Sequence, residues 1–115
     1  MKIAIGSDHG GFELKQLLVK KLAGLGHEVN DLGCGSAAAV DYPDFAEQVC
    51  AQVLDATVEC GILVCGTGLG MSMAANKYRG IRAAVCHNEY TARMSRAHNN
   101  ANVLCLGDRV LGKGL

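Results

Sequence analysis

The sequence predicts a three-layer α/β domain in which a five-stranded parallel sheet is doubly wound between two layers of helices. Three observations predict it. Five short apolar runs, bounded by Gly, Asp or Asn, are hydrophobic almost without interruption, as strands buried on both faces are. Segments with helical spacing of apolar residues alternate with those runs, the pattern of a parallel sheet with helical crossovers. Finally, 115 residues, half of them hydrophobic, suffice for one core, so residues 1–115 are read as a single domain.

The elements follow in order. Residues 2–7 form the first run. Leu14, Leu17, Leu18, Leu22 and Leu25 then recur at helical spacing, with Lys15, Lys20 and Lys21 expected to point outward and Gly26 as a stop. Residues 27–32 are the second run, and residues 33–42 read as a long loop. Pro43 suits the first turn of a second helix, whose buried face is Phe45, Val49 and Val53. The third run, 61–65, leads into a helix over 69–78. The fourth, 81–86, leads into a helix over 88–97, and 102–106 is the fifth run. No repeat, linker or low-complexity segment interrupts this Rossmann-like pattern.

Composition narrows the function. Eleven basic and eleven acidic residues balance, without a Lys/Arg cluster, which argues against a nucleic-acid partner. No apolar stretch approaches the ~20 residues of a membrane span, and the apolar segment at 3–5 is too short for a secretory signal, so a cytoplasmic protein with no membrane partner is expected. Six cysteines lie mostly within apolar or helical patterns. No CxxC pair occurs, so they are read as reduced thiols rather than disulfides or a zinc site.

In a doubly wound fold, ligands sit beyond the carboxyl ends of the strands, where the winding reverses. After the first strand comes Gly6-Ser7-Asp8-His9-Gly10-Gly11, which sets a carboxylate and an imidazole where a helix begins. Asp8 either binds a ligand or simply caps that helix. After the third strand comes Cys65-Gly66-Thr67-Gly68-Leu69-Gly70, whose alternating glycines suit an oxyanion or phosphate. It is not a Walker A loop, for no Gly-Lys-Ser/Thr follows. A dinucleotide fingerprint fits poorly, since Met71 stands where Gly or Ala is needed. A thiol before a helix N-terminus is where cysteines become reactive, which singles out Cys65. After the fifth strand, Arg109 offers a fork for a phosphate dianion, unless it pairs with Asp108.

His98 and Asn99 end the fourth helix, and helix ends lie at the sheet edge opposite the strand ends. If His98 is catalytic, it serves a neighbouring chain, as interface active sites of a two-fold dimer would allow.

Together GSDHGG, DYPDFA, CGTGLGMSMAANK, GIRAAVC and SRAHNNANVLCLGDRVLG span the chain in order and resemble the type B ribose-5-phosphate isomerase family, which also includes isomerases of allose and galactose phosphates. The resemblance implies aldose–ketose isomerisation of a sugar phosphate, ribose 5-phosphate to ribulose 5-phosphate, through an enediolate and without cofactor or metal. It implies Cys65 as the base, His98 as the ring-opening residue and Thr67 beside the enediolate oxygen. Substrate binding would fall to Asp8, His9, Gly66, Gly68, Gly70, Asn99 and Arg109. A homodimer with interface sites, or a tetramer of two such dimers, is also implied.

One departure stands out. The chain ends at Leu115, where the resemblance implies a fifth helix that carries phosphate-binding arginines and packs on the partner. A domain lacking that helical tail is expected, with the sheet face near the fifth strand left bare. A non-catalytic domain that binds a sugar phosphate is the alternative from another functional class.

Overall fold

A computed structural model of the chain describes residues 1–33, 42–112 and 114. Strand β1 (Lys2–Ser7) leads through a 3-10 turn (His9–Gly11) into helix α1 (Phe12–Gly24), followed by β2 (Glu28–Asp31) and α2 (Tyr42–Leu54). Then come β3 (Cys60–Cys65), α3 (Leu69–Ala75), β4 (Ala83–Val85), α4 (Glu89–Ala97) and β5 (Val103–Gly107). All pairings are parallel and the strand order is β2-β1-β3-β5-β4. The chain winds outward from β1 to β2, then restarts on the other side at β3. The reversal therefore lies between the carboxyl ends of β1 and β3, the two strands followed by the glycine-rich segments.

Side chains alternate across the sheet and divide the core in two. Ala4, Leu63, Cys65, Val103 and Cys105 face α2 and α3, where Val49, Cys50, Met71 and Ala75 complete a fully buried cluster. Ile3, Ile5, Ile62 and Val64 face α1 and pack on Leu14. Helix α2 sits so close that a Cβ on Gly61 would lie 2.5 Å from a Val49 methyl, which no side chain tolerates. The predicted buried face of this helix is present, with Val49 fully buried and Phe45 and Val53 partly so.

Helix α4 has no buried residue. Between it and α1 runs a groove of about 440 Å³, lined by Leu14, Leu17, Leu18, Ala92, Leu106 and Leu111. Leu104 and Leu106 on β5 are only partly buried, so this part of the sheet face is thinly covered.

Several details differ from the sequence reading. Lys15 does not point outward. It is 1% exposed, and its Nζ lies 2.8 Å from both carboxylate oxygens of Asp31, with Gln16 Oε1 at 2.9 Å. A long aliphatic stem lets a lysine cross an apolar layer when a carboxylate waits at the far side. Leu17 and Leu25, by contrast, are exposed, Leu17 along the groove between α1 and α4 and Leu25 just past the end of α1. Helix α3 stops at Ala75 because the Asn76 side chain turns away to bond both the N–H (2.8 Å) and the C=O (2.9 Å) of Ala83. Strand β4 is shortened at both ends, and the amide of Arg82 is taken by Asn102 Oδ1 at 2.8 Å. The predicted loop at 33–42 lies mostly outside the described residues, and its last residue, Tyr42, already begins α2. Among the described residues, no helix is long and apolar enough to cross a membrane.

Candidate active site

Cys65 is the last residue of β3, 6% exposed. Its Sγ accepts the backbone N–H of Gly68 at 3.0 Å. The contact requires the chain to double back between 65 and 68, which it does through Gly68 at φ +84, a left-handed conformation that disfavours any residue with a Cβ. Thr67 is exposed, and its Oγ1 accepts the Leu69 N–H at 3.2 Å, so the hydroxyl proton remains free to donate outward. Burial pushes the Cys50 thiol up to about 11, and it raises Cys105 further, with a negative charge on Cys65 adding to the effect. These two thiols keep their protons at neutral pH.

The end of β1 meets this loop directly. The Asp8 amide extends the β1–β3 ladder by donating to Val64 C=O at 3.2 Å. Asp8 Oδ1 caps the 3-10 turn by accepting the Gly11 N–H at 3.1 Å. Capping occupies one oxygen of the carboxylate and leaves it at the sheet edge beside the glycine loop. A Cβ on Gly10 would lie 3.2 Å from the Gly66 amide nitrogen, so the two loops touch backbone to backbone. His9 is exposed within the turn.

The end of β5 closes the third side. Asp108 N–H donates to Cys65 C=O at 2.8 Å and Arg109 N–H to Gly66 C=O at 2.9 Å, which extends the β3–β5 ladder into the loop. The Arg109 side chain lies along Gly66, with Nη1 3.2 Å from where a Cβ would stand. The Asp108 carboxylate is turned the other way and accepts the Leu14 N–H of α1 at 3.2 Å. The Asp108–Arg109 ion pair that the sequence left open is not formed. No feature of the local sequence signals this cap, because donor and acceptor are 94 residues apart.

Asp8, His9, Cys65, Gly66, Thr67, Gly68, Gly70 and Arg109 thus gather at one edge of the sheet. His98 and Asn99 do not join them. His98 caps the C-terminus of α4, and the Asn99 C=O accepts Arg82 Nε at 2.7 Å near the amino end of β4. That is a strand length, about 15–20 Å, from Cys65. Asn99 lines a cavity of about 370 Å³ with Asn76, Arg82 and Ser95. Neither this cavity, nor the α1–α4 groove, nor a third of about 460 Å³ near Cys60 and Arg96 is lined by Cys65, Asp8 or His9.

Comparison with known proteins places these features in context. The sequence profile of the Ribose/Galactose Isomerase family matches residues 3–115. Ribose-5-phosphate isomerase B of Escherichia coli is 52% identical over 111 residues, covering 96% of this chain and 74% of the relative. D-erythrulose-4-phosphate isomerase 2 of Mycolicibacterium smegmatis is 41% identical, covering 97% of this chain and 76% of the relative. Among solved structures, ribose-5-phosphate isomerase B of Clostridium thermocellum superposes with a TM-score of 0.99 at 56% identity, over 100% of this chain and 78% of the other.

Proposed function

Because the chain belongs to the ribose/galactose isomerase family, we propose that it interconverts ribose 5-phosphate and ribulose 5-phosphate, with Cys65 as the base. The observation that carries this reading is the Cys65 Sγ, held at the winding reversal with the Gly68 N–H 3.0 Å away. A group so placed can take and return a proton without metal or redox chemistry.

The steps balance as follows. His98, from a second chain, takes the proton from the anomeric hydroxyl and delivers it to the ring oxygen, opening the sugar. The Cys65 thiolate takes the C2 proton. The C–H pair becomes the C1=C2 bond and the carbonyl pair moves onto O1, giving the enediolate. Cys65 then returns its proton to C1 while the O2 proton passes to O1, so the carbonyl ends at C2. Since the Gly68 amide is engaged by sulfur, the developing oxyanion falls to Thr67 Oγ1, Asn99 of the second chain and the amides of Gly66 and Gly70. Asp8 holds sugar hydroxyls, while His9 and Arg109 hold the phosphate. Positioned acid–base groups contribute about 10²–10⁴-fold in rate, and an oxyanion donor about 10²–10³-fold.

The need for His98 and Asn99 from elsewhere makes the working unit a homodimer. Incubation with ribose 5-phosphate should yield ketose, and Cys65→Ala should lower kcat by about 10²–10⁴-fold with the fold intact by circular dichroism. Undiminished turnover by Cys65→Ala would remove the thiol from the mechanism. No turnover by the unaltered protein, with thermal stabilisation by sugar phosphate, would instead identify a binding domain. Allose, galactose and erythrulose phosphates assayed in parallel decide the sugar.

A further inference from the structure

We infer that Asp108 is a positioning residue for the phosphate-binding arm: by capping α1 from across the fold, it holds Arg109 over the glycine loop and keeps its own carboxylate off the guanidinium. The inference rests on the assignment of Arg109 to the substrate phosphate.

Helix α1 begins without a cap of its own. Its N-cap residue is Gly11, which makes no side-chain cap hydrogen bond, and the Gly11 amide is already consumed by Asp8. The third amide of the helix, Leu14 N–H, is instead satisfied by Asp108 Oδ2 at 3.2 Å. A carboxylate at this position meets both an orphan donor and the positive end of a 13-residue helix. The same residue is tied through its backbone to Cys65 C=O at 2.8 Å, and the next to Gly66 C=O at 2.9 Å. Residue 108 therefore joins the α1 start, which follows the Asp8–His9 turn, to the loop after Cys65. Arg109 is flanked by these two anchors.

The direction of the carboxylate matters as much as its grip. An acid beside an arginine is its nearest available counter-ion. With Asp108 drawn to α1, its carboxylate does not neutralise Arg109, and no other carboxylate among the described residues pairs with this fork, whose geometry suits a dianion.

Asp108→Ala is expected to raise KM for ribose 5-phosphate and Ki for inorganic phosphate together, by about tenfold, with kcat within about twofold. Asp108→Asn retains an acceptor for Leu14 and should restore most of the loss, which also covers the case of an alanine variant that folds poorly. In an Arg109→Ala background, Asp108→Ala should leave KM unchanged while still lowering the melting temperature. An undiminished additional KM effect in that background, or an equal fall in kcat, would overturn the positioning role. Binding of inorganic phosphate, measured by calorimetry on the same variants, separates this inference from the isomerase reading. A protein without turnover whose phosphate affinity still depends on Asp108 and Arg109 loses only the latter, whereas one that binds no phosphate loses both.

Discussion

Lys15 Nζ and Asp31 form an ion pair at 2.8 Å that joins α1 to the end of β2, with the lysine 1% exposed and the aspartate 35%. The ammonium also lies 5.6 Å from the centre of the Phe12 ring. The pair fastens the helix that begins beside the candidate site.

The two halves of this pair should not be equivalent. Asp31→Ala leaves a buried ammonium with Gln16 and the Phe12 ring as its partners among the described residues and should cost about 2–3 kcal/mol. Lys15→Met fills the same channel with an apolar side chain and leaves a carboxylate that water can reach, so its cost should stay within about 1 kcal/mol. Urea denaturation of both variants tests the asymmetry, and equal losses would contradict it.

Gly68→Ala should impair both folding and chemistry. A Cβ there would stand 3.2 Å from the Leu106 carbonyl carbon and from a Val85 methyl, on a residue at φ +84. The left-handed conformation alone costs about 1–2 kcal/mol, and relief by rotation carries the N–H away from Cys65. A fall in kcat of about 10²-fold is expected below the melting temperature. A variant that is merely less stable, with kcat preserved, would mean that the amide does nothing for the sulfur.

Alkaline pH should destabilise the fold through its buried thiols. Cys50 titrates at about 11 in the folded chain against 9.0 for an ordinary thiol, and Cys105 is raised as well, because burial disfavours the thiolate. Between those values the unfolded chain has lost protons that the folded chain keeps, so stability falls as pH rises. The contribution is complete below pH 9 and gone above the folded value. Denaturation midpoints from pH 8 to 11 should decline, and Cys50→Ala should flatten part of that slope. A flat profile in the unaltered protein would count against it.

Mixing Cys65→Ala with His98→Ala tests whether two chains share a site. Each variant alone should be nearly inactive. Hybrid dimers contain one site with both residues intact, so partial activity, up to about a quarter of the unaltered level for random exchange of a C2 dimer, should return. Recovery at background would place His98 outside the reaction.

The strands were legible because parallel strands buried on both faces leave long apolar runs, as at 2–7 and 61–65. The Cys65 loop and Asp8 were legible for a different reason: topology dictates that strand ends converge at the winding reversal. The same rule placed His98 at the far edge. Lys15 misled because periodicity records only its own helix, and the carboxylate that admits it inside arrives on β2. Asp108 was hidden in the same way, since nothing near position 14 or 108 reveals that they meet. Tertiary partners of polar groups leave no periodic trace.

The carboxamide of Asn76, which bonds both backbone groups of Ala83, imitates an adjoining strand at the outermost rung of β4. Any passing extended peptide finds that rung already taken, which protects an edge otherwise prone to templating aggregates. At that rung, copies of this chain cannot join strand to strand without first displacing the carboxamide.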